Sequence, residues 1–178
     1  NVMDYDDLLL FLLKLMNENA AVTQMLHKKY THLMVDEYQD TNLLQHQIVC
    51  SLAGKNENVM AVGDDAQSIY SFRGANHENI MRFPESFTQC SIIPIEENYR
   101  STQQILDVSN EVISRAVYRY NKNLYTTAKF DGEKPALICA KDDKQQSEFV
   151  VQQILELREQ GVSLDDIAVL FRSGFTSF

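Results

Sequence analysis

The chain has 178 residues, of which 44% are hydrophobic and 23% are charged, and its formal net charge is −9. This composition is typical of a soluble globular protein, and the acidic balance argues against a general nucleic-acid-binding protein, whose surface should be basic. No apolar run approaches the ~20 residues that a transmembrane helix needs, and no basic-then-apolar leader opens the sequence. We therefore expect a cytoplasmic protein without a membrane segment.

The cysteines and histidines lack the spacing of a metal site. The three cysteines are scattered along the chain, which predicts reduced thiols in a cytoplasmic protein. The four histidines form no ligand spacing either. One segment, 115–134, departs from the acidic balance, with five basic residues against two acids and tyrosines between them. We interpret it as a solvated helix end and loop in preference to a phosphate-contacting patch.

In chain order, the first predicted element is a helix over Asp4–Leu15, with aspartates in its first turn at the positive end of the helix dipole. A short buried strand follows over Thr31–Val35, where apolar and β-branched residues end at two acids. Asn42 then caps a helix that ends at Gly54. The apolar positions of that helix follow a 3.6-residue period: Leu44, Ile48, Val49 and Leu52.

A second buried strand over Asn58–Val62 completes a strand–helix–strand unit of about 30 residues. Such crossovers join parallel strands and are nearly always right-handed. Both strands then end at the same edge of the sheet, which is where ligands bind in open α/β folds. Acidic residues follow each strand and should meet at that edge: Asp36, Glu37, Asp64 and Asp65.

Four carboxylates at one edge repel each other unless a positive charge lies among them. A divalent cation is the simplest explanation, and hard oxygen ligands suit Mg²⁺. Because side chains alternate along a strand, Asp36 and Glu37 point in different directions, so that one can hold a metal while the other handles a water. The alternative is that acids merely end strands and cap helices, as the segment 40–42 can do. For the Asp36–Glu37 pair alone the two interpretations have equal support.

Three longer segments are too particular to be ordinary turns: DEYQDTN at 36–42, GDDAQSIYSFRGA at 63–75 and ENYRST at 97–102. In their order and spacing they resemble motifs II, III and IV of superfamily 1 DNA helicases of the UvrD, Rep and PcrA branch. The segments MDYDDLL at 3–9 and IAVLFRS at 167–173 also resemble that family. The resemblance therefore covers nearly the whole chain.

The resemblance implies a nucleotide site. Asp36 would hold the Mg²⁺ of Mg-ATP, and Glu37 would be the base or the orienting group for the attacking water. Gln67 would sense the γ-phosphate and relay its state towards DNA. Tyr99 would stack near the adenine. Arg100 would supply an arginine finger, because its planar guanidinium suits bidentate contact with the γ-phosphate. As an alternative, Arg100 could form an ordinary ion pair with a nearby glutamate.

The resemblance also implies contact with single-stranded DNA through Tyr70, Phe72 and Arg73. The two rings would stack on bases, at roughly 1–3 kcal/mol per base. Phe72 stands where tryptophan is frequent in the family, which weakens the stacking surface without removing it. The alternative is that Tyr70 and Phe72 belong to the core and that Arg73 is an ordinary surface residue.

No segment fits the phosphate-binding loop G-x-x-x-x-G-K-[ST], whose backbone N–H groups and lysine hold the β- and γ-phosphates. The later motifs of the family are also missing from these residues. We therefore expect an internal fragment that needs the missing N- and C-terminal parts of the same polypeptide. Alone, it should hydrolyse no ATP.

The predicted fold is α/β and comprises parts of two RecA-like domains of the P-loop NTPase type, with parallel sheets flanked by helices. Residues 1–90 would be the C-terminal part of the first domain, with motifs II and III. Residues 91–178 would be the N-terminal part of the second domain, with motif IV. Ser101 and Gln104 predict a capping box at its first helix. The elements predicted for that second part are strand Ile92–Ile95, helix Thr102–Val117, strand Pro135–Ala140, helix Ser147–Gln160 and strand Ile167–Phe171.

Together these features predict part of an ATP-dependent 3′-to-5′ DNA helicase or translocase that acts on single-stranded DNA and on single-strand/double-strand junctions. One alternative is the helicase subunit of a RecB- or AddA-type helicase-nuclease, although the GDDAQ form is closer to UvrD and Rep than to the GDPKQ form of that branch. Another is a non-hydrolysing relative that binds DNA or a partner. The intact set of Asp36, Glu37, Gln67 and Arg100 argues against the latter.

Overall fold

The computed structural model describes residues 2–128 and 132–171. They form two compact units, residues 1–134 and 135–178, and each is considered by itself. The predicted division into domains at about residue 90 stays a prediction. Among the described residues, no helix combines the length and the apolar character needed to cross a membrane.

The first unit begins with two helices, α1 (Tyr5–Glu18) and α2 (Ala20–Lys29). Asp4 caps α1, because its side chain accepts a 2.9 Å hydrogen bond from the Asp7 N–H, while the Asp7 carboxylate accepts one from the Asp4 N–H at 3.2 Å. The helix predicted from Asp4 is therefore confirmed, and it continues one turn further than the sequence indicated.

A parallel pair of strands, β1 (Leu33–Val35) and β2 (Val59–Ala61), forms the sheet. Helix α3 (Leu43–Ala53) connects them, with Asn42 as its N-cap and Gly54 at its C-terminal end, so the predicted strand–helix–strand unit is confirmed. The expectation of fully buried strands is wrong. Met34 is 76% exposed and Met60 is 51% exposed, because nothing in the described chain covers that face of the sheet.

Tyr38, directly beyond the end of β1, is fully buried at the centre of the small core. Its ring packs edge-on against Phe83 at 4.9 Å between centroids, and its hydroxyl lies 2.6 Å from His46 Nδ1 on α3. Burial raises the pKa of Tyr38 and lowers the pKa of His46, so both groups are neutral near pH 7. A short helix, α4 (His77–Met81), packs beside this residue.

After residue 90 the first unit contains one long helix, α5 (Gln103–Ser114), which confirms a helix here that is shorter than predicted. The predicted capping box is absent, since the Thr102 N-cap makes no side-chain cap bond. The predicted strand Ile92–Ile95 is also wrong: the segment has no ladder partner in the described chain, and its isoleucines are exposed. Nearby, the backbone forms an isolated bridge between Glu97 and Tyr125.

In the second unit, helix α6 (Asp143–Glu159) begins four residues before the predicted Ser147, because Asp142 caps it by accepting the Gln145 N–H at 2.8 Å. The strands predicted at 135–140 and 167–171 are not formed. Apolar residues there, such as Leu137 at 92% exposure, find no neighbouring strand among the described residues. Within residues 2–128 and 132–171 the α/β fold thus has one two-stranded parallel sheet, where larger parallel sheets were expected.

Candidate functional site

Asp36 and Glu37 follow β1 directly and are both exposed. Asp36 Oδ1 accepts a 2.9 Å hydrogen bond from the Glu37 N–H, and Glu37 adopts the left-handed conformation with φ 50° and ψ 43°. Residues other than glycine rarely occupy this region, and they do so mostly where the surrounding structure holds them. The end of β1 is therefore a constrained turn that sets the direction of the Glu37 side chain.

Gln39, which was not among the predicted site residues, links the ends of the two strands. It is buried to 1% exposure, its Nε2 donates to Glu37 Oε2 at 2.7 Å, and its Oε1 accepts the Asp64 N–H at 3.0 Å. A Cβ on Gly63 would lie 2.6 Å from Gln39 Oε1, so a side chain there would displace the amide. The only sequence signal was a glutamine between the acids of DEYQD.

An open cleft of about 420 Å³ lies beside this turn. It brings together three of the predicted site residues, Glu37, Gln67 and Tyr70, whereas Asp36, Tyr99 and Arg100 are not part of its lining. Asp40 also lines it, and among the described residues the buried Asp40 Oδ1 has no hydrogen-bond partner. The full lining is Glu37, Gln39, Asp40, Ala66, Gln67, Ile69 and Tyr70.

Asp64 and Asp65 lie beyond the end of β2, and the ammonium group of Lys122 compensates their negative charges. Lys122 Nζ contacts Asp64 Oδ1 and lies 2.6 Å from Asp65 Oδ1, and its side chain is only 15% exposed. The expectation that the four carboxylates need a metal ion is therefore wrong for this pair. Within the described residues no three acidic, histidine or cysteine side chains cluster as a metal site. The assignment of Mg²⁺ to Asp36 stays a prediction.

In this cluster, Lys122 and Asp64 each favour the ionised form of the other. Burial alone would lower the pKa of Lys122, but hydrogen bonds and the charges of Asp64 and Asp65 outweigh burial and raise it. Burial would raise the pKa of Asp64, but the bonds from Lys122 and Gln67 outweigh it and hold the pKa below its ordinary value. Lys122 and Asp64 are consequently both ionised at neutral pH.

Gln67 is oriented by Asp64. Its Nε2 donates a 2.8 Å hydrogen bond to Asp64 Oδ2, while Asp64 Oδ1 accepts the Ala66 N–H at 3.0 Å. With its amide nitrogen engaged, Gln67 keeps its carbonyl oxygen as an acceptor at the edge of the cleft. The turn after β2 therefore presents a hydrogen-bond acceptor of fixed orientation.

Tyr70, Phe72 and Arg73 form an exposed group. The two rings lie 5.9 Å apart, and Arg73 Cζ lies 5.2 Å from the Tyr70 ring and 5.3 Å from the Phe72 ring, a cation–π arrangement. Phe72 is 74% exposed and Tyr70 is 37% exposed. In the described chain the alternative that these rings belong to the core is wrong. We call these three residues the aromatic platform.

Tyr99 and Arg100 lie on an exposed turn. Asn98 Oδ1 accepts the N–H groups of Arg100 at 2.9 Å and of Ser101 at 2.7 Å, which fixes the backbone. The Tyr99 hydroxyl donates to Glu97 Oε2 at 2.8 Å. Within residues 2–128 and 132–171, Arg100 forms no ion pair, so the alternative of an ordinary surface ion pair has no support.

Two models of protein families match the chain, and they agree with its motifs. Residues 1–88 match the UvrD/REP helicase N-terminal domain, and residues 93–177 match the UvrD-like helicase C-terminal domain. The chain belongs to the UvrD/REP helicase family. The resemblance of its motifs to this family is thereby confirmed.

Several curated members of the UvrD/REP family are similar over almost the whole chain. A probable DNA helicase II homolog of Rickettsia conorii is 40% identical over 176 residues, covering 98% of this chain and 27% of the relative. DNA helicase II of Haemophilus influenzae is 40% identical, with 99% and 24% covered. The ATP-dependent DNA helicase PcrA of Staphylococcus aureus is 38% identical, with 98% and 24% covered. The chain thus spans about a quarter of the length of these relatives.

Proposed function

We propose that this chain is part of an ATP-dependent DNA helicase that couples Mg-ATP hydrolysis to 3′-to-5′ movement along single-stranded DNA. The observation that carries the proposal is the cleft at the carboxyl ends of β1 and β2, where Glu37, Gln67 and Tyr70 come together. Family membership and the helicase names of the relatives support it. In this proposal ATP binds between two RecA-like lobes, which divide near residue 90.

The residues around the cleft fit a magnesium nucleotide. Its volume of about 420 Å³ falls in the range of small-ligand sites. Asp40 lines the cleft and Asp36 precedes the lining residue Glu37, so both offer hard carboxylate oxygens; the buried Asp40 Oδ1 lacks a partner in the described chain. We assign the Mg²⁺ of Mg-ATP to Asp36. When bound, the ion would neutralise charge that develops on the transferred phosphoryl group.

Glu37 is the proposed base. Gln39 holds Glu37 Oε2, which leaves Oε1 to orient the attacking water and to take its proton. Gln67, with its nitrogen bound to Asp64, offers its carbonyl oxygen to the same water and is the proposed sensor of the γ-phosphate. Both roles use side chains whose orientation is fixed by the fold before substrate arrives.

Tyr99 and Arg100 complete the proposed nucleotide site, with Tyr99 beside the adenine and Arg100 as the arginine finger. Both are exposed and outside the lining of the cleft, so they require closure of the lobes to reach the nucleotide. The phosphate-binding loop would come from the missing N-terminal part of the polypeptide, and further contacts from the missing C-terminal part. The 178-residue chain alone would therefore hydrolyse no ATP.

The aromatic platform is the proposed contact with single-stranded DNA and with single-strand/double-strand junctions. Its exposed rings offer π-faces for stacking, and Arg73 adds a positive charge beside them. Tyr70 lines the cleft as well, so nucleotide and DNA would meet on either side of one short segment. We place the parent protein in the cytoplasm.

Two other functions remain alternatives to this proposal. A RecB- or AddA-type helicase-nuclease would share the cleft and differ by a nuclease domain elsewhere in the polypeptide. A non-hydrolysing relative would keep the aromatic platform and have no use for an ordered Glu37 and Gln67. The hydrogen bonds that orient these two side chains favour a hydrolysing enzyme.

The proposal is tested by Glu37→Gln in the parent protein. The amide keeps the shape of the side chain and loses its basicity, so we expect nucleotide binding to persist while turnover falls by about 10²- to 10⁴-fold. Steady-state phosphate release with Mg²⁺, ATP and single-stranded DNA measures turnover. Glu111→Gln is the matched control, because it alters an exposed ion pair on α5. Turnover near the wild-type value in Glu37→Gln would show that the site is misassigned.

A further inference from the structure

The segment Tyr120–Tyr125, which we call the strap, lies against the turn after β2. The Tyr120 N–H donates to Asp65 Oδ2 at 3.0 Å, and the Tyr120 hydroxyl donates to the Ile80 carbonyl at 2.9 Å. Lys122 contacts both Asp64 and Asp65. The strap therefore holds the turn by a backbone N–H and an ammonium group, while its tyrosine hydroxyl anchors it to α4.

The contact with Lys122 reaches the proposed γ-phosphate sensor in two steps. Lys122 Nζ binds one carboxylate oxygen of Asp64, and the other accepts Gln67 Nε2 at 2.8 Å. The side chain of Asp64 is 28% exposed and that of Asp65 is 2% exposed, so water screens these charges poorly. The orientation of the Gln67 amide thus depends on a carboxylate that Lys122 neutralises.

The strap is also tied to the segment that carries Tyr99 and Arg100. The Asn123 N–H donates to Glu96 Oε1 at 2.6 Å, and the Tyr125 N–H donates to the Glu96 carbonyl at 3.0 Å. The Asn98 N–H donates to the Tyr125 carbonyl at 2.7 Å.

The strap also contacts α5, where Asn110 and Leu124 form a reciprocal pair of hydrogen bonds. One short segment therefore bridges the turn of Gln67 and the turn of Arg100.

We infer that Lys122 is a positioning residue for the proposed hydrolysis. Lys122 fixes the position of the Asp64 carboxylate, and through Asp64 it fixes the orientation of the Gln67 amide. Because the strap also bonds to the segment of Arg100, it fixes the turn of Gln67 relative to the turn of Arg100. The inference rests on the proposed function for its catalytic consequence, but the restraint on the turn is a property of the chain itself. Removal of the ammonium leaves two adjacent carboxylates facing each other, and their repulsion should release the turn.

Hydrogen–deuterium exchange on the nucleotide-free parent protein tests the restraint without reference to activity. We expect Lys122→Gln to accelerate exchange of the amides of Ala66 and Gln67, which are bonded to Asp64, by about tenfold or more, as in local opening. Lys14→Gln is the matched control, since Lys14 makes only an exposed ion pair on α1, and it should leave that exchange unchanged. Unchanged exchange of these amides in folded Lys122→Gln would overturn the inference.

Turnover then tests the positioning role. We expect Lys122→Gln to lower the DNA-stimulated kcat by about 10- to 100-fold with a smaller change in the KM for ATP. Lys122→Arg should restore most of the kcat.

If Lys122 has a purely structural role, Lys122→Gln will instead lower the melting temperature and speed exchange throughout the chain, while kcat per folded molecule stays unchanged. That result would overturn the inference. If Lys122→Gln does not fold, the same two measurements on Asp64→Asn decide, because this variant removes the carboxylate that joins Lys122 to Gln67. Normal exchange and normal kcat in folded Asp64→Asn then refute the inference. Wild-type protein without ATPase activity would refute the proposed function, while the exchange result would still stand by itself.

Discussion

The buried amide of Gln39 donates a 2.7 Å hydrogen bond to the carboxylate of Glu37, two residues before it in the chain. The carbonyl oxygen of the same amide accepts the Asp64 N–H. A single side chain thus fixes the proposed base on the first strand end and the start of the turn on the second. Loss of the Gln39 side chain would therefore release both Glu37 and the Asp64 N–H.

Gln39→Leu should destabilise the protein and reduce turnover. The leucine fills a similar volume but leaves the Asp64 N–H without its partner, at a cost of about 1–3 kcal/mol in the free energy of unfolding. Glu37 would lose the restraint on Oε2, so kcat of the parent protein should fall more than nucleotide affinity. Urea unfolding and steady-state ATPase assays measure the two effects. Gln47→Leu, an exposed position on α3, is the control and should change neither; equal effects in both variants would contradict the prediction.

The sequence predicted the elements whose signals are local. Asp4 and Asn42 have capping side chains, the apolar period defined α3, and the chain length between β1 and β2 required a parallel pair. The strands expected at 92–95 and 135–140 did not form, because apolar runs become strands only where a neighbouring strand supplies hydrogen bonds. No such neighbour occurs in the described residues.

The site was predicted as far as its motifs extend. Glu37, Gln67 and Tyr70 were identified from the sequence and share one cleft, although their roles stay predictions. Lys122 was missed, because it lies more than fifty residues beyond Asp64 and looked like one charge in a basic loop. The counter-charge was instead assigned to a metal ion. Pairing between distant residues leaves no periodic signal in a single sequence.

The ion pair of Lys122 with Asp64 should give stability a defined pH dependence. The folded state holds the pKa of Asp64 below its ordinary 3.8, so its contribution is present above pH 3.8 and is lost as pH falls through the lower folded value. The folded state raises the pKa of Lys122 above 10.5, so its contribution is present below pH 10.5 and is lost as pH rises through the higher folded value.

Urea unfolding of Asp64→Asn across pH 2–11 checks this expectation. The variant should be less stable than wild type at pH 7. The difference should begin to shrink as pH falls below about 3.8 and should be lost at the lower pKa of folded Asp64, where the folded carboxylate becomes protonated. Asp6→Asn is the control, because Asp6 is exposed in the first turn of α1. A difference between wild type and Asp64→Asn that persists undiminished at the acidic end would contradict the assigned pair.

Arg100→Ala in the parent protein should remove stabilisation of the γ-phosphate. We expect kcat to fall by ~10³-fold or more, as for other arginine fingers, with little change in melting temperature since Arg100 is exposed and unpaired within the described residues. Phosphate release and a thermal melt give the two values. Arg115→Ala, which breaks only an exposed pair with Glu111, should keep normal turnover. If both arginine variants behave alike, Arg100 has no special role.

Phe72→Ala in the parent protein should weaken binding of single-stranded DNA and DNA stimulation of the ATPase while sparing basal turnover. Phe72 is 74% exposed, so its removal costs stacking with little loss of core packing. The loss should be ~1–3 kcal/mol, or about a 5- to 150-fold increase in Kd. The number of phosphate contacts, and with it the salt dependence of binding, should persist because Arg73 and other basic groups remain.

Fluorescence anisotropy with a labelled oligonucleotide, beside a thermal melt, separates stacking from folding. Phe11→Ala is the control, because Phe11 is a phenylalanine that is 48% exposed and lies on α1, outside the aromatic platform. It should leave DNA affinity unchanged. Tyr70 and Arg73 lie within 6 Å of each other and of the Phe72 ring, so a small change in the orientation of the remaining platform should accompany the loss. Unchanged DNA affinity in a stably folded Phe72→Ala protein would rule out the stacking role of Phe72, because the other ring of the platform, Tyr70, is only 37% exposed and offers less surface for stacking.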